Sequence, residues 1–209
     1  MNGNNQKYEI TDIAHEKYPF LHRIRALRDV GPTVKAGDLG GFVEGEWNLS
    51  YEDADSWIAN DAIAANAACV EGGSLLRDQA VVCGEARIRG MSMISNDARV
   101  EDHAVIDGAR VEVYAKVSAH ALVSGLPGGA FPIISGESVV HGFVSGNVLV
   151  TDAAVILGDE KVVNEALNRL VLTEQGRRIE RGPGRETILP SAQYFGRKKS
   201  HHKDKEVER

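Results

Sequence analysis

The chain has 209 residues and a formal net charge of −6, and 43% of its residues are hydrophobic although only 6% are aromatic. This length suits one domain with short appendages, and so few aromatic side chains favour a narrow core of Val, Ile and Ala. No apolar stretch is long enough for a transmembrane helix, and the polar N-terminus lacks the apolar segment of a signal peptide, so a membrane location is not expected. Cys69 and Cys83 form no metal-type pair, and two free thiols predict a reducing, cytoplasmic location.

The first predicted unit is an N-terminal cap over residues 1–33. Residues 1–20 are polar, and we expect them to pack loosely. Residues 21–30 alternate apolar and polar side chains, which predicts a strand. Such a strand would cover the open first coil of the repeat that follows, where backbone groups would otherwise be unpaired.

Residues 34–157 carry a six-residue repeat, which is clearest between residues 58 and 126. An aliphatic or small residue returns every six positions, and another small residue stands four positions after it. The repeat positions are Ile58, Ala64, Val70, Leu76, Val82, Ile88, Ile94 and Val100 and, after one five-residue step, Val105, Val111, Val117 and Val123. A helix cannot keep this period in phase, whereas positions i+4 and i+6 of an extended chain face the same side. The pattern predicts a parallel β-helix of short strands and corners.

Residues 126–137 interrupt the repeat and predict a loop, since they contain Pro127-Gly-Gly and Phe131-Pro. The repeat resumes at Ser138 and continues to Ala154, which adds about one coil. These residues complete the predicted β-helix.

Residues 158–195 are predicted to form a helix and a short apolar segment. Apolar residues between 162 and 171 recur at helical spacing, Asp159 can cap the start of the helix, and Gly176 can end it. Residues 1–157 carry an excess of nine negative charges, whereas residues 158–209 carry an excess of three positive charges. The acidic body argues against nucleic-acid binding along the β-helix. Only the basic tail at 196–209, which we expect to be disordered, could contact a nucleic acid.

The repeat units resemble those of a known family. Val82-Cys-Gly-Glu-Ala86-Arg and Ile94-Ser-Asn-Asp-Ala98-Arg are similar to the hexapeptide repeat of left-handed parallel β-helix proteins, with three units to a triangular coil. The resemblance implies a left-handed triangular prism and assembly as a homotrimer. Together with the repeat count, the N-terminal capping strand and the C-terminal helix predicted above, this gives an all-β, left-handed parallel β-helix of about five to six coils.

A narrower resemblance covers residues 23–58. Arg23-Ile-Arg-Ala-Leu-Arg, Val34-Lys-Ala-Gly-Asp-Leu-Gly-Gly-Phe-Val and Trp57-Ile are similar to the opening of a group of phage, prophage and enterobacterial proteins labelled as hexapeptide-repeat proteins or transferases. Those labels follow the fold, and a fold alone implies little about chemistry.

Three units to a coil predict three interior columns and an outward position before each interior residue. The columns are Ile58, Leu76, Ile94 and Val111; Ala64, Val82, Val100 and Val117; and Val70, Ile88, Val105 and Val123. The outward positions include Ile63, Leu75, Val81 and Met93. An exposed apolar row usually marks an interface, which agrees with the homotrimer that the resemblance implies.

Two histidines are the candidate catalytic residues. His103 and His120 each stand three residues after an interior valine in successive coils, and His141 would continue their column if the loop were spliced out. Acyltransferases of this fold use one His as a general base near a subunit interface. The alternative is that corner histidines are exposed or stack on each other. Zinc sites of this fold place two His five residues apart, and spacings of 17 and 21 residues predict no metal site here.

Two functions therefore remain open. The first is a non-catalytic, trimeric, phage-encoded binding protein without a cofactor, which would engage a host protein or a small ligand in the clefts between prisms, with a possible counter-defence role. The second is an acetyltransferase that uses acetyl-coenzyme A, with His103 or His120 as the base and Arg110 or Lys116 near the cofactor phosphates. We favour the first, because no partner for either His is recognisable in the sequence.

Overall fold

The computed structural model describes residues 5–181, which form a parallel β-solenoid of about seven turns. Strands of two to five residues follow one another around each coil, and each strand pairs with its counterpart in the next coil, so that three sheets enclose one core. The predicted all-β, parallel β-helix is confirmed. The prediction of five to six coils was too low, because further coils form at both ends.

Each of the three sheets runs along the solenoid, and its neighbouring strands are hydrogen-bonded to one another. The first sheet contains, in spatial order, Tyr8–Ala14, His22–Ala26, Leu39–Val43, Ile63–Ala64, Val81–Val82, Arg99–Val100, Lys116–Val117, Val139–Val140 and Val155–Ile156. The second sheet contains Trp57–Ile58, Leu75–Leu76, Met93–Ile94, Arg110–Val111, Ile133–Ile134, Val148–Val150, Arg169–Thr173 and Gly176–Glu180. The third sheet contains Cys69–Val70, Arg87–Arg89, Val105–Asp107, Leu122–Ser124, Phe143–Gly146 and Lys161–Asn164. A short 3₁₀ helix spans Glu46–Asn48, and Leu49 pairs with Val70.

Aliphatic side chains fill the interior in the predicted columns, with one correction. The columns that begin at Ile58 and Ala64 stack in the predicted register. In the third column, Ile106 and not the predicted Val105 stacks between the neighbouring coils and is fully buried. The five-residue step therefore follows Ile106, and Val105 lies on the outer face. Two adjacent β-branched residues made the sequence pattern ambiguous at this point.

Left-handed backbone conformations turn many of the corners. At the corner between the second and first sheets, which we call the asparagine corner, the residues with positive φ are Asn60, Asp78, Asn96, Val113, Gly136 and Asp152. Asn and Asp tolerate this region better than other non-glycine residues. Their side chains also link successive coils: the Oδ1 atom of Asn60 accepts the N–H of Asp78 at 3.2 Å, and the Oδ2 atom of Asp78 accepts the N–H of Asn96 at 3.0 Å.

The N-terminal cap consists of two antiparallel strands and not one. Tyr8–Ala14 pairs with His22–Ala26, which in turn pairs with Leu39–Val43 at the edge of the first sheet. The prediction that residues 1–20 pack loosely was wrong for Lys7 and Tyr8, which are fully buried, whereas residues 9–20 are exposed or partly exposed. The hydroxyl of Tyr8 donates to the backbone oxygen of Leu49 at 2.8 Å. Burial of this phenol raises its pKa.

The interrupting loop is shorter than predicted. Ile133–Ile134 already belongs to the second sheet and stacks on Arg110–Val111, so the loop spans residues 125–132 and the repeat resumes before Ser138. The two isoleucines directly follow Pro132, which ends the Pro- and Gly-rich stretch.

The C-terminal helix predicted between Asp159 and Gly176 is wrong. Lys161–Asn164 adds a strand to the third sheet and Arg169–Thr173 adds one to the second, where Gly176–Glu180 pairs with it as an antiparallel hairpin. The open edge of the last coil offers backbone partners to these β-branched residues, which overrides an apolar spacing that also suits a helix. The predicted apolar segment at 188–195 and the basic tail at 196–209 lie outside the described residues.

The predicted outward row divides between two faces. Ile63 and Val81 lie on the first sheet, where Ile63 is buried against Leu21 of the cap and Phe42 of the strand Leu39–Val43. Leu75 and Met93 lie on the second sheet, partly exposed. The outer row of the second sheet continues from these two residues through Arg110 to Ile133 and Leu149. This sheet therefore presents the longer partly exposed apolar row.

Candidate functional site

The corner between the first and third sheets, which we call the histidine corner, carries Glu85, His103 and His120 in three successive coils. Each stands three residues after an interior valine, so the coil spacing places their side chains above one another. The rings of His103 and His120 stack with their centroids 4.7 Å apart and their planes within 3°. The predicted stacking is confirmed.

The structure adds a partner that the sequence analysis missed. The Nδ1 atom of His103 lies 3.3 Å from the Oε2 atom of Glu85. A carboxylate at this nitrogen can orient an imidazole and leave its Nε2 atom free to accept a proton, as in catalytic His–carboxylate pairs. Glu85 lies 18 residues before His103, which is one coil, and this spacing was the signal that could have identified it.

The histidine corner is a ridge and not a pocket. The side chain of His103 is 50% exposed and that of Glu85 is 68% exposed. His141 does not continue the column, because Val140 stacks on Val117 and this register places His141 beside Ser118. The prediction for His141 was therefore wrong, and no histidine among residues 5–181 extends the stack of His103 and His120.

The two predicted cofactor-binding residues lie on different sheets. Lys116 is on the outer face of the first sheet, where its ammonium contacts Glu101. Arg110 is on the outer face of the second sheet, and its guanidinium lies 5.4 Å from the centre of the Phe131 ring. The structure therefore does not bring Lys116 and Arg110 into one cofactor site.

Arg110 and Phe131 instead border a cleft at the corner between the third and second sheets, which we call the cleft corner. The cleft has a volume of about 580 Å³. Its lining includes Gly90, Met91, Asp107, Gly108, Arg110, Ser124, Gly125, Leu126, Pro127 and Phe131. The 125–132 loop closes back on itself through hydrogen bonds between Leu126 and Ala130 and between Gly129 and Leu126, both at 3.0 Å, and forms one wall.

Close stacking of backbone leaves no room for side chains on the floor of this cleft. A Cβ atom on Gly125 would lie 2.5 Å from the backbone oxygen of Gly108, and one on Gly90 would lie 2.7 Å from the backbone nitrogen of Gly108. Glycine is therefore required at Gly90 and Gly125, and the floor consists of closely stacked, partly buried backbone. The loop was predictable from the sequence but the cleft was not, because the cleft depends on how the loop packs against coils that are distant in sequence.

At the N-terminal end of the solenoid, a buried ion pair between Lys7 and Asp53 holds the first coils together. The Nζ atom of Lys7 lies 3.1 Å from the Oδ1 atom of Asp53 and donates to the backbone oxygen of Ser50 at 2.8 Å. The Oδ2 atom of Asp53 accepts the hydroxyl of Ser56 at 2.8 Å and the backbone N–H of Gly72 at 2.9 Å. These bonds tie the N-terminal segment and residues 50–56 to the beginning of the cleft corner.

Burial disfavours the charged form of both Lys7 and Asp53, but only Asp53 has a net pKa shift that favours its charged form. Burial lowers the pKa of the Lys7 ammonium, although Asp53 opposes this effect. Burial alone would raise the pKa of Asp53, but the hydrogen bonds from Ser56 and Lys7 outweigh it and the net shift is downward. Asp53 accepts several hydrogen bonds that favour its charged form and keeps 23% of its side chain exposed, whereas the fully buried Lys7 has mainly Asp53 to oppose its desolvation. Asp53 is thus held as the charged form that Lys7 needs.

The cysteines belong to neither corner site. Cys69 lies on a strand of the third sheet and Cys83 directly follows the strand Val81–Val82. Both are partly buried free thiols, and burial raises the pKa of each. A raised pKa disfavours the thiolate that a nucleophile or a metal ligand requires. Among residues 5–181, no three His, Cys, Asp or Glu side chains are placed to hold a metal ion, and no helix there is long and apolar enough to cross a bilayer.

Comparisons with models of known protein families, with curated proteins and with solved structures found no match to this chain.

Proposed function

We propose that the protein is a non-catalytic, homotrimeric binding protein that holds a small ligand in the cleft beneath the 125–132 loop. The observation that supports this function is the difference in enclosure between the two candidate sites. The cleft is concave and of about 580 Å³, within the range of small-molecule sites, whereas the histidines stand exposed on a ridge. Of the two ionisable residues that line the cleft, Asp107 is paired with Arg89, and neither resembles a nucleophile with an adjacent base.

The outer face of the second sheet supports the trimer. Leu75, Met93, Ile133 and Leu149 are partly exposed apolar residues of neighbouring coils on this face. Arg110 separates this row into two apolar pairs, Leu75 with Met93 and Ile133 with Leu149, and partly exposed apolar clusters of this kind are typical of an interface. The resemblance of residues 23–58 to phage proteins supports a host protein as the alternative binding partner. The free thiols of Cys69 and Cys83 support a cytoplasmic location.

Light scattering tests the assembly. We expect three times the chain mass of 22.6 kDa at micromolar concentration. Replacing both Leu75 and Met93 with Asp should give monomers, because two charges would then be buried in the interface. Leu122→Asp is the matched control, since Leu122 holds an outward position on the third sheet and is 36% exposed. A monomeric wild type would overturn the trimer.

Ligand retention tests the cleft. The purified protein is incubated with the small-molecule fraction of a bacterial lysate, and retained compounds are identified by mass spectrometry. We expect a retained compound that is lost when Leu126 and Phe131 are both replaced with Ala. Tyr114→Ala removes an aromatic side chain that is 63% exposed at another corner, and it should leave retention unchanged. Equal retention by the wild type and the cleft variant would contradict this site.

The Glu85–His103 contact favours a second candidate, an acyltransferase with His103 as the base. If the protein is an acetyltransferase, acetyl-coenzyme A should stabilise the fold by about 2.7 kcal/mol at a hundredfold excess over its dissociation constant. His103→Ala should then abolish acetyl transfer and leave that stabilisation intact, whereas Glu85→Gln should reduce turnover less severely. His120→Ala tests the other ring. We expect neither a thermal shift nor turnover, and a clear shift would favour the enzyme over the binding protein.

A further inference from the structure

We propose that the ligand of the cleft is an anion, in which a carboxylate or phosphate group is joined to an apolar, planar body, and that Arg110 binds the anionic group. This inference rests on the proposed function and narrows it to a ligand class. It follows from the charge of the cleft, from the position of the guanidinium and from the shape of the floor.

Arg110 is the uncompensated charge of the cleft. Among the described residues, no carboxylate oxygen lies within 4.0 Å of its guanidinium. The other ionisable residue of the lining, Asp107, accepts a hydrogen bond from the Nε atom of Arg89 at 2.9 Å. Asp107 and Arg89 offset each other, so Arg110 leaves the cleft with a local positive charge in a chain whose net charge is −6. An anion is the complement of this arrangement.

Phe131 restricts the orientation of the guanidinium. The centre of the guanidinium lies 5.4 Å from the centre of the ring, which is within the range of a cation–π contact. Among the described residues, the guanidinium N–H groups of Arg110 donate to no protein acceptor, so they remain available to a ligand. Those groups match the two oxygens of a carboxylate or a phosphate, which bind arginine in a bidentate manner.

The rest of the cleft suits an apolar, flat group. Leu126, Pro127 and Phe131 supply an apolar wall, and the backbone of Gly108 and Gly125 supplies a floor without side chains. A planar ring can approach backbone closely where no Cβ atom intervenes. An inorganic anion alone would leave this wall and floor without contacts.

Fluorine NMR titration tests the inference with three probes: 4-fluorobenzoate and 4-fluorophenyl phosphate as the anions, and 4-fluorobenzyl alcohol as their neutral analogue. We expect the wild type to bind both anions about tenfold more tightly than the alcohol, as one charged hydrogen-bonding site allows. Arg110→Gln should lose this preference. Arg99→Gln is the matched control, because Arg99 is an exposed arginine at the equivalent outward position of the first sheet, and it should retain the preference.

The outcomes separate this inference from the proposed function. Equal affinity for the alcohol and the anions, or an unchanged preference in Arg110→Gln, would overturn the proposal that the ligand is an anion. It would leave the proposal that the cleft binds a small ligand intact. Absence of binding by all three probes would also overturn it, and retention of a compound from the lysate would then decide the proposed function independently. Anion binding that Phe131→Ala weakens and Arg99→Gln does not would support both.

Discussion

The histidine corner and the cleft corner occupy equivalent places in the same coil, yet one projects and the other recedes. At the histidine corner, Glu85, His103 and His120 stack outward as exposed side chains. At the cleft corner, Gly90, Gly108 and Gly125 leave bare backbone, and the 125–132 loop rises beside it. The solenoid thus sets where a side chain stands, and the size of that side chain decides whether a ridge or a groove forms.

The reactive side chains and the cavity therefore lie at different corners. The histidine corner has the more reactive groups, but the exposed ring of His103 is solvated, and a solvated base has no cavity to position a substrate against it. The cleft corner provides a cavity, but its lining contains no general base with an orienting partner. Binding without chemistry at the cleft corner is the function that agrees with both observations.

The largest effect is expected from a substitution in the buried interior, which supports both corners. Val100→Asp places a carboxylate in the fully buried interior column, where it has no partner, and should lower the free energy of unfolding by several kcal/mol. Arg99→Asp is the control, because the neighbouring side chain points outward and is exposed. Thermal unfolding of both variants checks this prediction. An unchanged melting temperature for Val100→Asp would mean that the register is wrong.

The interior was predictable because the inward position has one requirement, an aliphatic side chain, at a fixed spacing. The prediction failed where two residues met that requirement equally, as Val105 and Ile106 do, and only the stacking of three coils places Ile106 inside. It failed again at 159–176, where local spacing suggested a helix. The edge of the last coil, which the sequence pattern does not show, supplied strand partners for those residues.

The next largest effect concerns the support of the cleft corner. Asp53→Ala removes the partner of the fully buried Lys7 ammonium and the acceptor of the Gly72 N–H. Leaving a buried charge unpaired should cost about 3 kcal/mol. Asp29→Ala is the control, because it breaks the ion pair of Asp29 with Lys35 in solvent, where such pairs contribute little. Chemical denaturation should separate the two variants.

The same carboxylate predicts a dependence on pH. Because the pKa of Asp53 is lowered in the folded protein, the unfolded chain takes up a proton first as the pH falls. The stabilisation by Asp53 is therefore complete at neutral pH, and it is lost progressively below about pH 4, the ordinary range of an aspartate. Asp53→Ala should show a flatter loss of stability in this acid range than the wild type. Parallel curves for the two proteins would contradict the role of Asp53.

A smaller effect tests the glycine floor directly. Gly90→Ala places a Cβ atom 2.7 Å from the backbone nitrogen of Gly108 at a φ of 69°, and should cost about 3 kcal/mol at most. Gly128→Ala is the control, because Gly128 has a φ of 64° but no atom within 4 Å of the added carbon. It should cost only about 1 kcal/mol. Equal costs for the two variants would mean that the floor is not closely packed.

The candidate sites were less predictable than the interior. The stacking of His103 on His120 follows from the coil length, and Glu85 could have been found by the same spacing. The cleft could not, because glycines predict a corner but not what stands above it. Arg110 was selected for a cofactor phosphate, and only the structure shows that its guanidinium lies beside Phe131 and apart from Lys116.

The smallest expected effect is a gain, and it lies at the asparagine corner. Val113 has a φ of 67° at a position that is Asn96 in the preceding coil and Gly136 in the following one. A β-branched residue is strained in this region, whereas Asn is tolerated. Val113 is 36% exposed, so the substitution also gives up part of its apolar burial, and the relief of strain must exceed that loss. Val113→Asn should therefore stabilise the protein by about 1 kcal/mol.

The new side chain could also accept the N–H of Gly136, as the Oδ1 atom of Asn96 accepts that of Val113 at 3.3 Å. Asn96→Val is the reverse substitution on the same corner. It introduces the strain and removes this hydrogen bond, and it should destabilise the protein by about 2 kcal/mol. Differential scanning calorimetry of the two variants should show melting temperatures displaced in opposite directions from the wild type. A fall in both would mean that the packing of the Val113 side chain outweighs the strain in its backbone.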